Sequence, residues 1–162
     1  MSGRGPRTQA HAEASSAARQ GLTIRRATVR ELGAVRRLVA LAVEEVYGSL
    51  FPAGMPEDRT DWREALVAVF DGKIVGVALT SEDTVDDLWI SADHRRRGVG
   101  RALLASAESE IQQRDYRLAR LRVVADNAAA RRFYAAHRWS EAETYPHERW
   151  GFPMVNMIKE LT

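Results

Sequence analysis

The chain has 162 residues and a mass of 18.1 kDa, enough to bury one core and too short for two full-sized domains, which excludes a modular machine. Its formal charge is only +2, and 24 basic residues less the two lysines, Lys73 and Lys159, leave 22 arginines interleaved with acids, which argues against a nucleic-acid surface. With no cysteine there is no disulfide framework, thiolate zinc site or sulfur nucleophile, and no apolar run approaches the ~18 residues of a membrane span.

Residues 1–20 are rich in Ser, Ala, Arg and Gly and offer little to bury, so a flexible tail is expected. A transit peptide is the sharper alternative, but Glu13 and the lack of an apolar face speak against it. Cytoplasm is the expected compartment, with residues 21–162 as one domain. Leu22 and Ile24 suggest a short strand, and Ala27 to Val46 carries Leu32, Val35, Leu38, Val39, Leu41 and Ala42 at helical spacing. From Tyr47 to Thr60, Gly48, Pro52, Gly54 and Pro56 predict a loop, with one helical piece near Glu57 to Arg63. That loop reads equally as an acceptor-binding segment or a plain connector.

Ala65–Phe70 and Lys73–Thr80 flank Asp71-Gly72, the pair favoured in a type I′ turn, so a hairpin is predicted, with Val85–Ile90 as a third antiparallel strand. Leu103, Leu104, Ala107 and Ile111 then follow a helical period after Gly98, and Leu118–Val124 alternates as a strand, giving a βαβ unit. A second helix is predicted from Ala128 to about His137, capped by Asn127, with Ala130, Phe133, Tyr134 and His137 on one face. Met154–Leu161 completes the elements as a strand, and no internal repeat is present. The expected class is α/β of the α+β type, a mixed central sheet with antiparallel N-terminal strands and a splayed parallel pair flanked by helices.

The chemistry concentrates at Arg95-Arg96-Arg97-Gly98-Val99-Gly100-Arg101. A glycine-rich turn opening a helix aims backbone N–H groups and the positive helix end at one point, which suits a pyrophosphate. Glycine is expected there because a side chain at Gly98 or Gly100 would hold the phosphate off the amides. Alone the motif also reads as an arginine-rich turn with a glycine cap. Three strands precede it, unlike a dinucleotide-binding fold, and no Walker A sequence occurs.

The stretches Leu88-Trp89-Ile90-Ser91-Ala92-Asp93-His94 through Arg101-Ala102-Leu103-Leu104, and Asn127-Ala128-Ala129-Ala130-Arg131-Arg132-Phe133-Tyr134, together resemble the GNAT superfamily of acyl-CoA-dependent N-acetyltransferases, over roughly Leu22 to Leu161. The resemblance implies acetyl-CoA as co-substrate, its pyrophosphate on the main chain of Arg95, Arg96, Arg97, Gly98, Val99, Gly100 and Arg101. It also implies that the strand containing Leu88 and Ile90 pairs with the pantetheine arm, that Asn127 contacts that arm, and that Tyr134 lies near the thioester sulfur.

In such a reaction the amine must be neutral, an N–H near Ile90 can stabilise the oxyanion, and a tyrosine can protonate the leaving thiolate. Tyr134 also reads as a core aromatic beside Phe133. For the base, strand alternation lets only one of Asp86 and Asp87 face the cleft; Asp86 is preferred, with a water chain or two solvated charges as alternatives. Glu82 and Asp83 extend an acidic cluster toward the same cleft. Trp62, Trp139, Trp150 and Tyr145 read as acceptor-pocket or core residues, and His11, His94, His137 and His147 show no metal-ligand spacing.

Three positions depart from the family pattern: Arg138 stands where a glycine is usual, before Trp139; Ala92 replaces a proline; and Arg122 stands where members that acetylate ribosomal-protein N-termini often have glutamate. The expected activity is direct acetyl transfer to a primary amine, with a small molecule favoured over a protein as acceptor and no nucleic-acid or membrane partner. A homodimer is implied by analogy alone. The alternative is a non-catalytic acyl-CoA-binding sensor acting through a partner.

Overall fold

The computed structural model describes residues 21–162, so the expected tail lies outside the described residues. The elements are β1 (Leu22–Arg26), α1 (Leu32–Tyr47), β2 (Leu66–Phe70), β3 (Lys73–Ser81), β4 (Thr84–Ile90), α2 (Val99–Gln113), β5 (Leu118–Val124), α3 (Ala128–Ala136), β6 (Ser140–Pro146) and β7 (Pro153–Glu160). They form one seven-stranded mixed sheet in the order β1-β2-β3-β4-β5-β7-β6. The first four strands are antiparallel, β4 and β5 are parallel, and β5, β7 and β6 are antiparallel. This is the mixed architecture expected from the sequence.

Each sheet face buries one helix stripe. Val35 and Val39 of α1 pack with Trp62, Ala65, Val67 and Val77 on one face. Leu103, Leu104, Ala107 and Ile111 of α2 pack with Leu66, Ala68, Val75, Ala119, Leu121 and Val123 on the other. The two-residue periodicity of the strands thus sorts their side chains between helices. The β2–β3 turn has φ of 51° at Asp71 and 73° at Gly72, the paired positive values of a type I′ turn.

Four expectations need correction. Leu41 is 72% exposed and lies off the buried stripe. The helix starts at Leu32 instead of Ala27, because Thr28, whose amide donates to Glu31 Oε2 at 2.8 Å, introduces a short 3₁₀ turn over Val29–Glu31. No helix forms over Glu57–Arg63: Asp58 accepts from Thr60 N–H and Trp62 Nε1–H, and Asp61 from Arg63 N–H, local turns that compete with helical bonding. Finally, β6 was not anticipated, since its sequence is Ser-Glu-Ala-Glu-Thr-Tyr-Pro and almost every residue is exposed. A polar edge strand carries no hydrophobic period.

The end of α3 explains how Arg138 is accommodated. Trp139 N–H donates to Tyr134 C=O at 3.1 Å and Arg138 N–H to Ala135 C=O at 3.2 Å, the paired bonds of a Schellman cap. Arg138 takes the left-handed position with φ of 69°, while the Trp139 ring meets Tyr134 at 6.0 Å. The turn keeps its geometry at the expense of a strained side-chain-bearing residue. Arg138→Gly is therefore expected to stabilise the fold by about 0.5–1 kcal/mol, raising the melting temperature by roughly 1–4 °C; calorimetry of the two proteins checks this.

Candidate functional site

The β4–α2 connection is shaped as an anion cradle. A 3₁₀ turn over Ala92–His94, headed by the alanine that replaces the usual proline, leads into extended Arg95. The chain then passes through left-handed Arg96 (φ 60°) and Gly98 (φ 84°), which caps α2. The first helical bond is Ala102 N–H to Gly98 C=O at 3.1 Å; among the described residues, no protein group accepts from the amides of Arg96 through Arg101. Free amides at a helix start, with the dipole's positive end, give a site for a diphosphate.

Each of the two glycines also has a reason within the fold itself. A Cβ on Gly98 would meet nothing within 4 Å, and what selects glycine there is the positive φ. At Gly100 a Cβ would stand 3.3 Å from the Phe133 ring, so glycine lets α3 approach α2. The residues of the cradle fit the diphosphate of acetyl-CoA through main-chain donors. The Arg96, Arg97 and Arg101 side chains are exposed, whereas Arg95 is engaged with Glu45 and the Ile90 carbonyl.

Beside the cradle, β4 and β5 pair only at Thr84 and Arg120. Asp83 fixes this closed end: its C=O accepts Arg120 N–H at 2.8 Å and its carboxylate accepts Arg120 Nε–H at 2.9 Å. From there β4 follows β3, with Ile90 opposite Gly76, while β5 follows β7, with Val124 opposite Met154. The cause of the divergence lies in β4. Leu79 pairs with Asp87 but Thr80 with Val85, leaving Asp86 as an extra, bulged residue. A bulge bends its strand and shifts the side-chain phase. Val85, Leu88 and Ile90 accordingly pack toward α2, while Trp89 packs toward α1.

The bulge also separates the two carboxylates. Asp86 is exposed, whereas Asp87 is partly buried and accepts Trp89 Nε1–H at 3.0 Å. Burial, with the charges of Asp86 and Asp58 adding to it against the Trp89 bond, pushes the Asp87 carboxyl up to about 6. Glu82 and Asp83 stand at the closed end, so the expected acidic cluster is dispersed. Asp58, from the segment after α1, adds to the effect of Asp86 on Asp87.

Asn127 caps α3 by accepting Ala130 N–H at 3.1 Å, and its Nδ2–H donates to Tyr47 OH at 3.1 Å. The Tyr47 ring meets Trp89 edge-on at 5.8 Å. Burial raises the Tyr47 phenol above its ordinary value, opposed by its bonds from Asn127 and the Val124 backbone. Tyr134, packed on Phe133 and Trp139, is pushed far above a free tyrosine by burial, then by Tyr47 and Asp87. Asp87, Tyr47, Asn127 and Tyr134 are thus brought to one gap, and Asp86 is not.

Tyr47 and Asp58 are absent from the sequence-based site. Tyr47 was legible, as it continues the Val35, Val39, Val43 face of α1 at four-residue spacing; Asp58 sits in an aperiodic segment with no such signal. Trp62 and Trp139 are buried core, while Trp150 joins Phe51, His147 and Phe152 in an aromatic clasp at ring distances of 4.6–6.1 Å. Each described histidine has a protein partner: His94 with Ser91, His137 with the Phe133 carbonyl, and His147 Nδ1 accepting two backbone amides. Arg122 pairs with Glu148 at 2.9 Å.

Asp87 bears on stability with a definite sign. Its folded pKa lies above the unfolded value, so folding is penalised once pH rises past the unfolded value, and fully above about 6. Asp87→Asn is expected to stabilise the protein at pH 7–8 by on the order of 1–3 kcal/mol, with the gain vanishing near pH 4. Urea titrations at the two pH values measure this.

No curated relative matches the chain. Among solved structures, it is similar to Ard1 from Thermoplasma volcanium (21% identity, 88% of this chain and 99% of that one, TM-score 0.70). It is also similar to the ribosomal-protein-alanine N-acetyltransferase from Brucella melitensis (23%, 86% and 99%, 0.69). A third is yncA, a putative acetyltransferase from Salmonella typhimurium with its cofactor acetyl-CoA (20%, 87% and 94%, 0.63). These likenesses establish the fold. Among the described residues, no helix is long and apolar enough to cross a membrane. Residues 38–161 match the acetyltransferase (GNAT) domain, and with the amide cradle and the open β4–β5 gap in place the chain belongs to the GNAT family of acetyl-CoA-dependent N-acetyltransferases.

Proposed function

We propose that the protein transfers acetyl from acetyl-CoA directly to a primary amine of a small cytoplasmic molecule, with Asp87 as base and Tyr134 as acid. The observation that carries this reading is the placement of Asp87 and Tyr134 beside the unpaired gap, both raised by burial and the Tyr134 phenol raised further by the charge of Asp87. A carboxyl near 6 is ionised at neutral pH and takes a proton from the incoming ammonium, directly or through water. The neutral nitrogen attacks the thioester carbonyl, and a β4 backbone N–H near Ile90 is placed to stabilise the oxyanion. The C–S bond breaks as the oxyanion collapses and Tyr134, which keeps its proton at neutral pH, delivers it to the leaving sulfur; the second proton shed by the attacking nitrogen restores the Tyr134 phenol, while Asp87's proton returns to solvent. Asp86, the sequence-based preference, is set aside because the bulge turns it to solvent.

The acceptor class is supported by the mouth of the gap. Phe51, just after α1, wedges against Trp150 and Phe152 of the β6–β7 connection, and Ala125 N–H donates to Pro153 C=O beside the end of β5. This bridge favours a compact amine over an extended chain. Arg122, held by Glu148, lacks the carboxylate associated with ribosomal-protein acceptors. Arg138 leaves the cap at the end of α3 intact, so this departure from the family pattern lends no support to the sensor alternative.

Tyr134→Phe is expected to lower kcat by about 10²-fold or more while acetyl-CoA affinity stays within about threefold. Equal turnover in a folded variant would remove the acid role. In the wild type, kcat/KM should fall as pH drops below about 6, following Asp87. Asp87→Asn should lose this acidic limb together with most activity, read as thiol release across a panel of amines.

A further inference from the structure

The last turn of α1 is fastened on both sides of the β4–β5 gap. Arg95 Nη1–H and Nη2–H donate to Glu45 Oε1 and Oε2 at 2.7 and 3.0 Å, while Arg95 Nε–H donates to the Ile90 carbonyl at 3.3 Å. Two residues further along, Tyr47 OH accepts from Asn127 Nδ2–H at 3.1 Å. Ile90 ends β4 and Asn127 follows β5. One turn of helix therefore ties the end of one strand to the end of the other, across the span where the sheet lacks its own hydrogen bonds.

We propose that this turn is a spacer that sets the width of the gap, with Glu45 as a positioning residue that touches neither substrate. The proposal rests on the reading that the thioester arm of acetyl-CoA enters the gap. A two-pronged guanidinium–carboxylate pair fixes orientation as well as distance, and a single-pronged contact does not. The Arg95 guanidinium also holds the Glu45 carboxyl below its usual range, so the pair persists at neutral pH. With the two side chains 36% and 51% exposed, the pair adds little to folding stability. Its consequence is local: Arg95 directly precedes the left-handed Arg96, so the same clamp holds the amide cradle in place beside the gap.

Glu45→Gln removes one charge at the end of α1, and Glu44→Gln, at an exposed neighbour, serves as control. Calorimetric titration of the full chain with acetyl-CoA and with butyryl-CoA reads affinity and acyl-length preference without an acceptor. Glu45→Gln is expected to weaken acetyl-CoA binding by about tenfold and to reduce the preference for acetyl over butyryl by about threefold or more. Its melting temperature should stay within about 2 °C of the wild type, and Glu44→Gln should behave as wild type. Arg95→Lys, which keeps charge but loses the fork, should reproduce the loss of preference.

Unchanged affinity and preference in Glu45→Gln and Arg95→Lys would overturn the spacer and leave the coenzyme site standing. Weaker binding with an unchanged acyl preference would also overturn it, since a merely structural contact behaves that way. A wild type that binds neither thioester would remove the site reading and the spacer with it.

Discussion

The open edge between β4 and β5 organises the rest of the molecule. A parallel pair normally continues its hydrogen bonds along both strands, yet here the ladder holds one residue pair, Thr84 with Arg120. The extra residue at Asp86 bends β4 immediately beyond that pair. Strand backbone left without a partner in the interior of a sheet is costly unless something else satisfies it. An extended amide-bearing arm can serve as that partner, lying between the strands as a strand would. On the proposed reading the co-substrate completes the sheet, and the cradle of free amides at Arg96 to Arg101 receives the far end of the arm.

The same bulge arranges the acid–base groups. By shifting phase it sends Asp86 to solvent and turns Asp87 and Trp89 toward α1, where Asp87 accepts the Trp89 indole N–H and, with Tyr47, acts on the Tyr134 phenol. Burial then holds a carboxylate where its charge is unfavourable, so the chain carries a local penalty at neutral pH that a neutral side chain would lift. Groups held this way are typical of sites selected for reactivity over stability. Much of the remaining core is conventional: α1 and α2 each press an apolar stripe onto one sheet face.

Legibility in the sequence followed the range of the determining interactions. The Asp71-Gly72 turn, the Leu103 to Ile111 face of α2 and the Asn127 cap depend on neighbours a few residues away, and each was readable. β6 was not, because its strand character comes from pairing with β7 and not from its own polar residues. The choice between Asp86 and Asp87 failed for a related reason. Strict alternation predicts one inward carboxylate, but the phase of the strand at these two residues depends on a bulge defined by register against β3. Tyr47 was visible as part of a helical face, though its hydrogen bond to Asn127 spans 80 residues of sequence and no local pattern carries it. Arg138 shows the converse, a departure from a motif that the backbone absorbs by adopting the conformation the missing glycine would have taken.

The central claim is that the gap and the cradle form one continuous binding surface for a thioester carrier. Backbone amide NMR of the isotopically labelled protein, titrated with acetyl-CoA, tests it residue by residue. The account predicts saturable shifts concentrated at Arg96 to Arg101 and at Asp87 to Ile90, with β1 and β6 unaffected. Saturable binding that leaves those amides unmoved and perturbs another surface would contradict it.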